Sequence, residues 1–120
     1  MNQNELQGNS PIDYPSALAR IGNDASFLSE LLDLFIMDFE AKYDQLSGAI
    51  SDEDFSAIQD LGHSIKGASA NLSLPFIQEA SFAMESAGKD KDIQRAKESF
   101  IKLEKEFTNL KSFIASGAGT

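Results

Sequence analysis

From Tyr14 to Ile114 the apolar side chains return every three or four residues and nowhere alternate over a useful length, so helices are expected and strands are not. The clearest run is Ile93, Ala96, Phe100, Leu103, Phe107, Leu110 and Ile114, a seam suited to packing at a shallow angle against a neighbouring helix. Upstream, the same spacing and the punctuation around it predict four more helices. A short first helix follows Asp13 with Tyr14, Leu18 and Ile21 on one face, and Gly22 supplies a left-handed stop. Asn23 or Asp24 then caps a second helix carrying Leu28, Leu31, Leu32, Phe35, Phe39, Tyr43 and Leu46, expected to end near Ser47-Gly48. Ser51 and Asp54, at the spacing of a capping box, open a third with Phe55, Ile58, Leu61, Ile65, Ala68 and Leu72 on its buried face. Pro75 ends that helix around Leu72 or Ser73, because the residue before a proline is steered away from helical angles. Phe76, Ile77, Ala80, Ala83, Met84 and Ala87 mark the fourth, closed by Gly88 before the charged turn Lys89-Asp90-Lys91-Asp92.

Long helices joined by short connections imply antiparallel neighbours. The expected fold is all-α: an up-down-up-down four-helix bundle with the short first helix across one end. At 120 residues the chain is long enough for one self-supporting core. We read 1–11 as an N-terminal tail, 12–115 as the helical domain and 116–120 as a C-terminal tail.

Composition removes several functions. There is no cysteine, so disulfides, thiolate metal sites and thiol nucleophiles are excluded. A net charge of −9 repels nucleic-acid phosphates and anionic membranes, so neither partner is expected. The charge is uneven: residues 1–60 carry twelve acids and two bases, whereas 61–120 carry seven acids and eight bases. No apolar run approaches the roughly 20 residues that span a bilayer, and the first ten residues lack a basic, apolar leader. A cytoplasmic location and a monomeric state are the expectations.

His63 is the chain's single histidine. At about 100° per residue it points away from the buried stripe of the third helix, into solvent. Gln59, Lys66, Gly67 and Ala70 share that outer face. Gly62 and Gly67 each weaken a helix interior by about 1 kcal/mol relative to alanine, which suggests that something bulky approaches the histidine between them. Lys66, one turn along, is near enough to meet an anionic group carried on the imidazole. A neutral imidazole is a competent nucleophile toward an energised phosphoryl donor. The spacing by itself also accommodates an idle, solvent-facing histidine beside a solvated lysine.

The run from Leu61 to Leu72, LGHSIKGASANL, resembles the signature of histidine-containing phosphotransfer (HPt) domains, His-x-Leu-Lys-Gly-x-Ser. Ile12-Asp13, Ala17-Leu18, Arg20-Ile21-Gly22, Asp24, Phe27-Leu28, Leu31-Leu32 and Phe35 are similar to the family's opening helices, and Met84-Glu85 with Ala87-Gly88 to its fourth. The resemblance implies that His63 is phosphorylated, that Lys66 neighbours the phosphoryl group, that Gly67 admits a partner, and that Gln59 and Ser69 make flanking contacts. Two positions depart from the pattern: Gly62 stands where alanine is usual and Ser73 where glycine is usual. The implied function is a phosphorelay carrier, taking phosphate from the aspartyl phosphate of one receiver domain and passing it to another. Such a carrier has no cofactor and no ATP site of its own and is no autonomous kinase; Mg2+ would sit on the receiver.

A receiver-docking module that moves no phosphate is the alternative. A metal bundle built on Asp60 and His63 is a third reading, weakened because di-iron bundles need that pair twice, facing inward. Off-stripe apolar Phe27, Leu34 and Phe82 are candidates for an interface; for Phe27 and Leu34 cover by the first helix is the favoured expectation and docking the alternative, and Met37 is an isolated exposed residue. Arg95, Lys97, Lys102 and Lys105 read as a solvated helix face.

Overall fold

Aspartate opens four of the five helices found among residues 10–116, the part of the chain that this computed structural model describes. Asp13 caps α1 (Tyr14–Arg20), Asp24 caps α2 (Ala25–Ser51), Asp54 caps α3 (Phe55–Asn71) and Asp92 caps α5 (Ile93–Ala115). In each case the carboxylate accepts a backbone N–H three residues on, at 3.0–3.3 Å. Such a bond satisfies a donor that the first helical turn leaves unpaired. The exception, α4 (Pro75–Lys89), starts with proline at its first position, where no N–H is needed. No strand occurs among the described residues. The expected tails lie largely outside them, although Ser10 is described, its hydroxyl donating to the carbonyl of Ile12 at 2.7 Å.

The helix ends correct two expectations. α2 runs through Gly48 to Ser51, and α4 runs through Gly88 to Lys89. Gly22, with φ of 74°, is the left-handed residue expected after α1, and Asn23 follows it at 63°. After α2, α3 and α4 that place is taken by Glu53, Ser73 and Lys91, with φ of 50°, 57° and 53°. Each is followed by a residue whose N–H reaches back to a carbonyl five positions earlier: Asp54 to Ala49 at 2.8 Å, Leu74 to Ser69 and Asp92 to Ala87, both at 2.9 Å. A left-handed L-residue costs about 1–2 kcal/mol, and these bonds offset that by satisfying the last carbonyls of the helix. Ser51 is therefore the last residue of α2, and Asp54 alone caps α3. The φ of Ser73 is one that glycine would adopt without strain. The serine is held by its hydroxyl, 3.1 Å from that of Ser16, and by its carbonyl, which accepts the N–H of Asp13 at 2.8 Å. These bonds pin the start of α1 to the α3–α4 turn.

The predicted stripes form the core: Leu28, Leu32, Phe35, Phe39 and Leu46 of α2 meet Ile58 and Ile65 of α3, Ile77, Ala80, Met84 and Ala87 of α4, and Ala96, Leu103, Phe107 and Leu110 of α5. Stacked rings join α2 to α5, Phe39 on Phe107 at 4.0 Å and Tyr43 on Phe100 at 4.1 Å, so residue numbers rise along one helix as they fall along the other. The same opposition holds for α3 and α4, which touch backbone to backbone. A methyl group at Gly62 would lie 2.6 Å from the Glu85 nitrogen, and one at Gly88 would run into Gln59 and Phe55. Gly88 is thus a contact residue, and α4 continues one residue beyond it.

Phe27 and Leu34 are not covered. They stay 44% and 61% exposed, because the seven residues of α1 span only about 10 Å, too short to reach along that flank of α2. Met37 is exposed as expected.

Candidate functional site

The middle of α3 presents His63 outward because Ile58, Gly62, Ile65 and Ser69 occupy the inward positions of the same helix. Its side chain keeps 68% of its accessible surface. The ring leans toward α4, where the Nδ1 atom lies 2.9 Å from Oε2 of Glu85. The other oxygen of that carboxylate, Oε1, lies 2.6 Å from the Lys66 ammonium. One acid on α4 therefore holds two residues of α3 that stand one helical turn apart.

The protonation pattern follows from this geometry. Lys66 chiefly, and His63 less strongly, hold the Glu85 carboxyl below its ordinary range, against the opposing effect of burial. An ionised carboxylate only accepts hydrogen bonds, so the proton between them belongs to the ring. With Nδ1–H donating to Glu85, the lone pair of a neutral His63 resides on Nε2, at the edge turned away from α4. One ring nitrogen is fixed by an acid, the other meets no partner among the described residues, and an ammonium stands one turn away, an arrangement chemically able to act as an oriented nucleophile.

Gly67 lies on the outermost line of α3, and a methyl group placed there would meet nothing within 4 Å. Ala70 and Gln59 are half-buried on the same helix, Gln59 where α3 touches Gly88. Ser69 departs from its expected role. It is fully buried, and its hydroxyl donates to the carbonyl of Lys66 at 3.0 Å, so it braces the helix beneath the site and offers no surface to a partner. Gly62 departs too, since what approaches it is α4 and not another molecule. Asp60 is exposed, and no group of three His, Asp or Glu side chains able to hold a metal occurs among the described residues.

Glu85 is the residue that sequence reasoning did not single out. The available signal was its place: an acid beside Met84, between the small residues Ala83, Ser86 and Ala87, on an α4 surface that must approach α3 closely. On the opposite flank of α3 a shallow groove is lined by Leu31, Leu34 and Asp38 of α2 with Ala68 and Asn71 of α3. No helix among the described residues is long and apolar enough to cross a membrane.

The family model for the Hpt domain matches residues 30–113, from the second turn of α2 nearly to the end of α5. A search of curated proteins finds no match.

Proposed function

Because the chain belongs to the Hpt domain family, whose members act in histidine phosphotransfer in phosphorelays, we propose that His63 is the phosphoacceptor of a carrier that exchanges phosphate with receiver domains. The observation that carries this reading is the Glu85 contact, which leaves Nε2 as the free nitrogen of an exposed ring.

In the forward step the Nε2 lone pair attacks the phosphorus of a receiver's aspartyl phosphate. The N–P bond forms, the P–O bond to aspartate breaks, and the bonding electrons leave with the aspartate carboxylate. The proton on Nδ1 stays where it is. The ring becomes cationic as Nε2 gives up its lone pair, and the Glu85 carboxylate at 2.9 Å stabilises that charge without having to move. Lys66, one turn from His63 on a flexible stem, is the cation available to offset the charge of the incoming phosphoryl oxygens. The reverse step returns phosphate to a second aspartate by the same path, so positioning and charge neutralisation do most of the work. The metal ion of such a reaction is expected on the receiver.

The opposed directions of α2 against α5 and of α3 against α4 support an up-down-up-down four-helix bundle, with α1 across one end. For docking, the open line at Gly67 and the uncovered apolar flank of α2, Phe27 and Leu34, favour a receiver that lies over α3 and touches α2. A monomer in the cytoplasm fits this role.

The test is to mix the protein with a phosphorylated receiver and follow label onto it. Acid-labile, base-stable phosphate should appear on the parent and be absent from His63→Gln. Equal labelling of His63→Gln would refute the assignment. Receiver binding with no labelling of the parent would favour the docking module.

A further inference from the structure

Phe82 is 55% exposed on α4, off the buried stripe, and takes no part in the core. Its ring faces the Lys66 ammonium, which lies 5.4 Å from the ring centroid while it contacts Glu85. The α4 residues around it form a ladder. Glu79, Phe82 and Glu85 follow at intervals of three, on successive turns of one helix surface. Lys66, Pro75, Gln78, Glu79 and Phe82 together line one shallow groove. Glu79 is exposed and enters no ion pair among the described residues.

The flexible four-carbon stem of Lys66 thus has two carboxylates to choose between, about 9 Å apart along α4, with an aromatic ring between them. At Glu85 the ammonium stands beside His63. At Glu79 it would stand nearly two turns away, neutralised and out of use. We propose that Phe82 is a positioning residue, whose ring face holds the Lys66 ammonium against Glu85 and away from Glu79, keeping the cation beside His63. An aliphatic side chain of similar bulk would fill the same space but lacks the negative ring face that attracts a cation. The proposal rests on the reading of His63 as phosphoacceptor, and one arm of its test does not depend on that reading.

That arm is solution NMR of the unphosphorylated protein. Ring current should shift the ε-methylene protons of Lys66 upfield, and the shift should persist in Phe82→Tyr and vanish in Phe82→Leu. The second arm is the rate of transfer from a phosphorylated receiver. Phe82→Leu should slow it about two- to five-fold, the range of a partly exposed cation–π contact. Phe82→Tyr should keep the parent rate, and adding Glu79→Gln to Phe82→Leu should recover part of the loss. In a Lys66→Ala background, Phe82→Leu should have no further effect. Unshifted Lys66 protons in the parent would overturn the proposal. An equal loss from Phe82→Leu with and without Lys66 would do the same, since it would mark the ring as a contact for the receiver itself. If the parent takes no phosphate at all, the phosphoacceptor reading fails and the NMR arm still decides the role of Phe82.

Discussion

Gly62→Ala and Gly67→Ala add the same methyl group to the same helix, yet they should move stability in opposite directions. Each replacement removes a helix-interior glycine, worth about 1 kcal/mol in favour of folding. At Gly67 nothing lies within 4 Å of the new carbon, so that gain is realised in full. At Gly62 the new carbon would lie 2.6 Å from the Glu85 nitrogen, 2.9 Å from its Cα and 3.1 Å from the Met84 carbonyl carbon. All three are backbone atoms, which cannot rotate aside. The nearest falls about 0.8 Å short of ordinary contact at 3.4 Å, so α4 has to retreat from α3 along its best-packed line. Overpacking of this kind costs about 1–3 kcal/mol, and a rigid obstacle belongs in the upper half of that range. The net expectation is a loss of about 1–2 kcal/mol for Gly62→Ala and a gain of about 1 kcal/mol for Gly67→Ala. In a domain of this size each kcal/mol is worth roughly 4 °C in Tm. Thermal and urea unfolding followed by circular dichroism would measure both. Gly62→Ala should also weaken the His63–Glu85 contact, because Glu85 rides on the displaced backbone. A Gly62→Ala protein as stable as the parent, or more so, would refute the backbone-contact argument. The outcome is pointed because alanine is the residue that HPt domains usually carry at this position.

Four further outcomes follow from the site and the turns. Glu85 ionises more readily folded than unfolded, so it binds fewer protons in the native state; its contribution to stability is complete above its ordinary value of 4.5 and is lost as pH falls below that value through the folded one. The stability difference between the parent and Glu85→Gln should therefore be constant near neutrality and shrink in acid, as denaturant titrations at a series of pH values would show. Asp54→Ala removes the cap of the helix that carries His63 and should cost about 0.5–2 kcal/mol in urea unfolding, with no direct effect on the ring. Lys91→Gly should stabilise the protein by roughly 0.5–1 kcal/mol, because its φ of 53° strains an exposed L-residue while glycine gives back part of the gain through a freer unfolded chain. Leu34→Asp, at a side chain 61% exposed, should leave Tm almost unchanged while lowering receiver affinity measured by calorimetry; unaltered affinity would move the docking face off the α2 flank.

Helix identity was readable residue by residue, because a 3.6-residue period and an aspartate cap are short-range properties. Asp13, Asp24 and Asp54 each sit where the apolar spacing begins, and each does cap. Helix ends were less legible. Gly22 does supply the stop of α1, but after the longer helices it is Glu53, Ser73 and Lys91 that adopt the left-handed angle, since the reach-back bond that compensates them depends on the next helix leaving in the right direction. Phe27 and Leu34 were misjudged for a related reason: the length of α1 could be read, but not the place where Ser73 and Asp13 anchor it.

In the site, the outward direction of His63 and the position of Lys66 one turn away were set by order along a single helix, and any fold that keeps α3 helical would preserve them. The chemistry of the ring was not. Glu85 lies 22 residues from His63 in the chain, and its choice of Nδ1 exists only because Gly62 lets two backbones meet. Spacing along one helix says which residues share a surface; the distance between surfaces on different helices depends on the volumes packed between them. The sequence alone therefore set which side of α3 carries His63, and tertiary packing decided which of its two nitrogens meets Glu85.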